Sequence, residues 1–335
     1  MNLNDALILV VFFIGSFVAD VFSQTPAAPL FRDPIYDGAA DPIVRWNNVE
    51  KNWWMLYTAR HANQNTPGVA YCYGTNIGIA SSDDNGKTWR YRGELDLDFE
   101  NGKNTFWAPE VIFANNTYHL FVTYINGVTS YWSGRASIHY YTSKDMWEWE
   151  HHGSINLSGG SVIDATVFQR STNDFYMWYK DGIGQIRLAR STNLFDWDDS
   201  ENITFEGNQE GPVIFEFNGY YWLLTDEWKG MRVYRSSDLI HWEKQGLVLS
   251  DEGTRQDDYP TGAHGDVIVV DDKAYLFYFT HPGRKSHLDE IYDEHGVIPY
   301  SHKRSSIQVA RLHFKNGTLI SDRTDTFNDF YLKNR

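Results

Sequence analysis

The chain repeats itself five times, and that repeat limits its fold more than any other feature. Each unit opens with an acidic residue and a short apolar run: Asp41 in DPIV, Glu110 in EVIF, Asp164 in DATVF, Glu210 in EGPVIF, Asp266 in DVIVV. A polar turn such as NNVEKN, ANN, STND, FNG or VDDK follows, which is hairpin chemistry. Next comes an aromatic-rich strand: WWMLYT, YHLFVTY, FYMWYK, YYWLLT or AYLFYF. A third strand completes the signal: IGIASS, SIHYYTS, QIRLARS, MRVYRSS or SIQVARL. A recurring unit of this kind buries its apolar face only by stacking against its copies. With about four strands per unit and no long capped helix, the pattern predicts an all-β, five-bladed β-propeller with a central active-site cleft. The acidic-plus-apolar runs are assigned to the innermost strands, and Leu30 to Tyr36 is expected to add a strand to the last blade.

Four of the units end on a common turn: SSDDNGKTW, TSKDMWEW, RSTNLFDW and RSSDLIHW, closing on Trp89, Trp149, Trp197 and Trp242. From Ser82 the first reads Ser-x-Asp-x-Gly-x-Thr-Trp, which resembles the Asp box of sialidase propellers. Its Ser and Asp suit backbone amides of the turn, and its Trp suits packing between blades. The turn therefore marks a fold and sits where no chemistry is required.

The 335 residues exceed one ordinary domain, but repeat-built β folds reach this size as single units. Aromatic residues make up 16 %, which favours strands and sugar-binding faces. A formal charge of −15 repels phosphate backbones and anionic membranes, so nucleic acid is excluded as a partner. Cys72 is the one cysteine, so no intrachain disulfide forms. Residues 6 to 18, ALILVVFFIGSFV, have the length of a signal-peptide core and are short for a membrane span. A signal over 1–23 and a single propeller domain over 24–335 are expected, with a secreted (extracellular or periplasmic) monomer as the product. Sequons at Asn115, Asn156, Asn202 and Asn316 are compatible with that route.

Five carboxylates heading five inner strands would surround one end of the axis. Crowded like charges push pKa values apart, as acid–base work requires. The segments AADPIVRW, TFWAPEVIF, GSVIDATVFQ and EGPVIFEFNGYYWLL resemble glycoside hydrolase family 43 in order and context, over residues from about 38 to about 300. That resemblance implies an inverting hydrolase of arabinose, xylose and sometimes galactose linkages. It implies Asp41 as general base, Glu210 as general acid, and Asp164 orienting Glu210 and holding its pKa up. An inverting pair stands roughly 6.5–9.5 Å apart, a spacing that different inner strands supply. The resemblance also implies an aromatic wall at Trp107, where core packing is the rival role. It places Glu110 where an Asp is usual. His264, in GAHGDVIVV, lies where relatives set a histidine on the axis, sometimes with calcium. Calcium prefers oxygen ligands, so no metal is required. Arg60, His61, Lys180 and Arg284 follow aromatic strands and point toward the cleft mouth or solvent.

The substrate expected is an oligo- or polysaccharide of plant or algal origin with a terminal β-xylose or α-L-arabinofuranose. The loops at His61 to Asn76 and Gly283 to Arg304 are candidates for blocking one end of the cleft, which would make the action exo. Two rivals stand beside this reading. A sialidase-like enzyme would share the Asp-box turn but needs six blades and an arginine triad. A carbohydrate-binding propeller without catalysis would use the same aromatic mouth.

Overall fold

The computed structural model describes residues 25–199, 203–325 and 327–333. The expected signal over 1–23 and the sequon at Asn202 lie outside the described residues.

Five four-stranded antiparallel sheets follow one another along the chain. The first blade is β1 (Ala39–Asn47), β2 (Asn52–Ala59), β3 (Ile77–Ser82) and β4 (Arg90–Glu94). The second is β5 (Asn104–Ala114), β6 (Thr117–Asn126), β7 (Ala136–Ser143) and β8 (Glu150–Ser154). The third is β9 (Ile163–Ser171), β10 (Asp174–Lys180), β11 (Ile186–Ser191) and β12 (Ile203–Phe205). The fourth is β13 (Glu210–Phe217), β14 (Tyr220–Asp226), β15 (Met231–Ser236) and β16 (Glu243–Val248). The fifth is β17 (Ala263–Val270), β18 (Lys273–Thr280), β19 (Ser306–Lys315) and β20 (Thr318–Ser321). The fifth blade thus has its own four strands. The segment at Leu30 and Phe31 adds only an isolated antiparallel bridge to Ile307.

The core lies between blades. One apolar cluster joins blade 1 to blade 2 through Ile43, Trp54, Phe106 and Tyr118. Others join blades 2 and 3, 3 and 4, 4 and 5, and 5 and 1. The aromatic second strands dominate these layers, with Trp54, Trp178 and Trp222 fully buried. Burying one such side chain contributes about 2–3 kcal/mol, so the interfaces hold the ring of blades together. The closing turns join in. Met146, Leu194 and Leu239 have positive φ and donate their amides to Ser143, Ser191 and Ser236 hydroxyls at 2.8–2.9 Å. Trp197 meets Phe121 of the preceding blade at 5.8 Å, and Trp242 meets Trp178 at 5.9 Å.

Each inner strand is interrupted near its start by a register shift against its neighbour: Ala40/Ile43, Trp107/Glu110, Ile163/Thr166, Glu210/Val213 and Ala263/Gly265. The first residue inside the first four of these bulges has positive φ: Asp41 (50°), Ala108 (43°), Asp164 (58°) and Gly211 (54°). A bulge re-aims a side chain and ends regular pairing. It also frees an amide, and the preceding blade captures it. Thr58 accepts from Ala108 N–H at 2.9 Å, and Thr123 accepts from Asp164 N–H at 3.0 Å. Asp164 Oδ2 accepts from Gly211 N–H at 3.1 Å, and Asp226 Oδ2 accepts from His264 N–H at 2.9 Å. A side-chain oxygen thus links each of these blades to the next at the axis. At the fifth step the matching position is Phe279, which has no acceptor.

Candidate active site

Bulge register decides which acids meet. Asp41, Ala108, Asp164, Gly211 and His264 hold equivalent positions inside the five bulges. Glu210 stands one residue earlier, and Glu110 and Asp266 each stand two residues later. The expectation of five equivalent carboxylates at one mouth is therefore corrected. Asp41, Asp164, Glu210 and His264 line one cavity of about 640 Å³, together with Trp107, Arg60, Lys180, Asp226, Trp228, Phe279 and Arg284. Glu110 and Asp266 do not line it. They are held by Arg45, whose guanidinium donates to both Glu110 oxygens at 3.1 and 3.3 Å, to Asp266 Oδ2 at 2.5 Å and to the Val111 carbonyl. Glu110, expected at the substrate, is instead a buried partner of a cation. Burial pushes its carboxyl up to about 7 even with Arg45 beside it.

The three cavity acids have different surroundings. Asp41 is 7 % exposed. Burial alone would raise its pKa, but Arg60 Nη2 at 3.2 Å and His264 Nδ1 at 3.6 Å hold it far below the usual carboxylate range. The same contact lifts His264 to about 9 against its own burial. Asp164 is pushed up by burial and by the charges of Glu210 and Asp41, against His264 and Lys180. Glu210 is lowered. Burial raises it, but Lys180 Nζ donates to Oε2 at 2.8 Å and Trp228 Nε1 to Oε1 at 2.9 Å. The expectation that Asp164 holds Glu210 up is thus reversed in the free site, because the ion pair with Lys180 outweighs the repulsion.

A fourth acid escaped the reading of the sequence. Asp226 pairs directly with Glu210 across β13 and β14. Burial and the Glu210 charge push it up to about 7. It accepts amides from Trp228 at 2.7 Å and His264 at 2.9 Å. Unbroken counting from the FNG hairpin sets it opposite Gly211, and the bulge moves it opposite Glu210. Lys180 holds the same register position in blade 3, opposite Ile163, and reaches into the cavity as Arg60 and Arg284 do. His61 does not. It packs on Tyr36 with ring centroids 4.3 Å apart.

Trp107 lines the cavity, with its indole N–H donating to the Cys72 carbonyl at 2.6 Å and its ring edge-on to Tyr73 at 5.0 Å. Among the described residues no group of three or more His, Cys, Asp or Glu side chains is arranged to hold a metal ion.

The two long loops meet. Gly68 N–H donates to the Gly296 carbonyl at 2.8 Å, and Pro67 and Gly68 bridge Val297. Val69 N–H donates to the Ser130 carbonyl at 3.1 Å, and Arg284 Nη2 to the Tyr71 hydroxyl at 2.9 Å. Val69, Tyr71, Cys72, Tyr73, Ile125, Ala136 and Ile298 form a separate apolar cluster beneath them. The loops are thus packed as one wall of the cavity.

Residues 95–227 match the family described as Glycosyl hydrolases family 43. A probable arabinan endo-1,5-alpha-L-arabinosidase A of Neosartorya fischeri is 27 % identical over 171 residues, 45 % of this chain and 51 % of that protein. The match therefore spans about half the length of that curated relative. The structure of a thermostable family-43 glycoside hydrolase superposes with TM-score 0.62 at 17 % identity, covering 88 % of this chain and 97 % of that one. The exo-beta-1,3-galactanase of Phanerochaete chrysosporium, solved with galactose, gives TM-score 0.62 at 16 % identity, covering 90 % and 65 %. These structural likenesses establish the shared five-bladed fold. The matched stretch carries Asp164 and Glu210, while Asp41 and His264 lie outside it and reach the same cavity through the fold. Over residues 95–227 the chain matches glycoside hydrolase family 43, and over most of its length it shares the fold of a solved family-43 structure.

Proposed function

We propose that the protein is an inverting glycoside hydrolase that removes a terminal pentosyl residue, xylose or arabinofuranose, from an oligo- or polysaccharide. The observation that carries this reading is the convergence of Asp41, Asp164 and Glu210 on one cavity, with Asp41 and Glu210 lowered by their cations and Asp164 pushed up by burial. Asp41, kept ionised by Arg60 and His264, takes a proton from water as that water attacks the anomeric carbon. Glu210 gives a proton to the leaving oxygen. It must first gain that proton. Asp164 anchors Gly211 N–H, which sets the strand beside Glu210. Trp107 offers an indole face to the sugar.

The packed wall of the two loops supports exo action, because it occupies one side of the space a long polymer would cross. Similarity to the exo-beta-1,3-galactanase favours a terminal galactosyl residue as the second reading. The apolar run at 6–18 supports secretion, with a mature chain starting at Gln24.

Hydrolysis of nitrophenyl xylosides, arabinofuranosides and galactosides tests the assignment, with the product anomer followed by proton NMR. Asp41→Ala and Glu210→Ala are each expected to lose about 10²–10⁴-fold in kcat, with the inverted anomer appearing first in wild type. Retention of configuration would remove Asp41 from water activation.

A further inference from the structure

The cavity opens past an aromatic side chain that the three acids do not need. Trp132 lines the cavity yet is 58 % exposed, and its neighbour Tyr131 is 68 % exposed. The Trp132 ring lies 6.1 Å from Trp107 and 6.3 Å from Tyr73, so three aromatic rings run from the interior to the mouth. The loop that carries Trp132 is held in place. The Tyr73 hydroxyl donates to the Ser133 carbonyl at 2.9 Å and accepts from Ser133 N–H at 3.0 Å. The Ser130 carbonyl accepts from Val69 N–H. An added Cβ at Gly68 would fall 2.0 Å from that same carbonyl, so the backbones approach too closely for any side chain there. A large apolar ring kept in water by a fixed loop, continuous with a pocket, is the signature of a binding surface.

We propose that Trp132 is the stacking platform for the second sugar residue of the substrate, the one beyond the residue held among the carboxylates. An indole presents an apolar face to the C–H side of a sugar ring and an N–H edge to its hydroxyls. This inference rests on the glycosidase reading for the residue in the pocket, but not for the stacking itself.

The test compares wild type with Trp132→Ala and Trp132→Phe on xylobiose, 1,5-arabinobiose and β-1,3-galactobiose, each against the corresponding glycosyl fluoride. The fluoride has no second sugar. In wild type the disaccharide gains from the platform; in Trp132→Ala the ratio of kcat/KM, disaccharide over fluoride, is expected to fall roughly tenfold. Trp132→Phe is expected to keep most of it. Calorimetric binding of the same disaccharides and of their monosaccharides is measured in parallel. An unchanged ratio in Trp132→Ala, with turnover intact, overturns the platform and leaves the glycosidase reading standing. Disaccharide binding that depends on Trp132, without any turnover, supports the platform and overturns the glycosidase reading. Neither binding nor turnover overturns both.

Discussion

Asp164 and Glu110 are both buried acids on inner strands, two residues apart in the common register, and they meet opposite surroundings. Asp164 sits inside a bulge and faces the cavity, with Glu210 and Asp41 repelling its charge. Glu110 sits past the bulge and faces Arg45, which also binds Asp266. Desolvation acts on both. What separates them is the partner: a shared open space in one case, a dedicated guanidinium in the other. A carboxylate on an inner strand is thus available for chemistry or committed to structure according to its offset from the bulge.

The largest test of that contrast removes the structural cation. Arg45→Met would leave Glu110 and Asp266 buried without a partner, and a loss of about 3–5 kcal/mol is expected in urea unfolding. A stability loss below about 1 kcal/mol would mean that water reaches the axial layer and the two regions do not differ as described. A smaller effect is expected at the bulge itself. Gly211 has φ of 54°, and an added Cβ would stand 2.4 Å from the His264 ring. Gly211→Ala is expected to cost about 1–3 kcal/mol and to lower kcat/KM, since the displaced groups are Glu210 and His264. Normal activity and unfolding in this variant would show that the bulge tolerates other backbones.

The third test concerns protons and is the mildest. Lys180 lowers Glu210. In a buried site without that cation the carboxyl keeps its proton to higher pH. Lys180→Met is therefore expected to move the basic limb of the kcat/KM profile upward by about one pH unit, roughly 1.4 kcal/mol of differential interaction. The lowered pKa also contributes stability that is present above the unfolded value and lost as pH falls, so the variant's stability should depend less on pH in the acid range. A basic limb that does not move would show that Lys180 leaves Glu210 before the proton transfer.

Much of the architecture was legible in local pattern. The hairpins at NNVEKN, ANN, STND, FNG and VDDK are short-range chemistry, and each appears as expected between first and second strands. The Trp197 and Trp242 turns pack between blades because an aromatic at that place has nowhere else to bury. The acids at Asp41, Asp164 and Glu210 were legible as residue types at blade starts. Glu110 was misplaced because a one- or two-residue offset re-aims a side chain, and the period of a strand does not reveal where a bulge falls. Asp226 and Lys180 were hidden for a related reason. Their importance comes from a cross-strand register with Glu210 and Ile163, which is a pairing and not a motif.

The sequence alone determined the number of blades, their hairpins and turns, and the chemical groups available near the axis, since each of these rests on neighbours within a few residues. The tertiary structure decided which groups share a cavity and who holds the proton. Asp41 meets His264 and Arg60, and Glu210 meets Lys180, across separations of up to 223 residues. A pKa is set by burial and by charges a few ångströms away, and those distances exist only once the bulges and the ring of blades are in place.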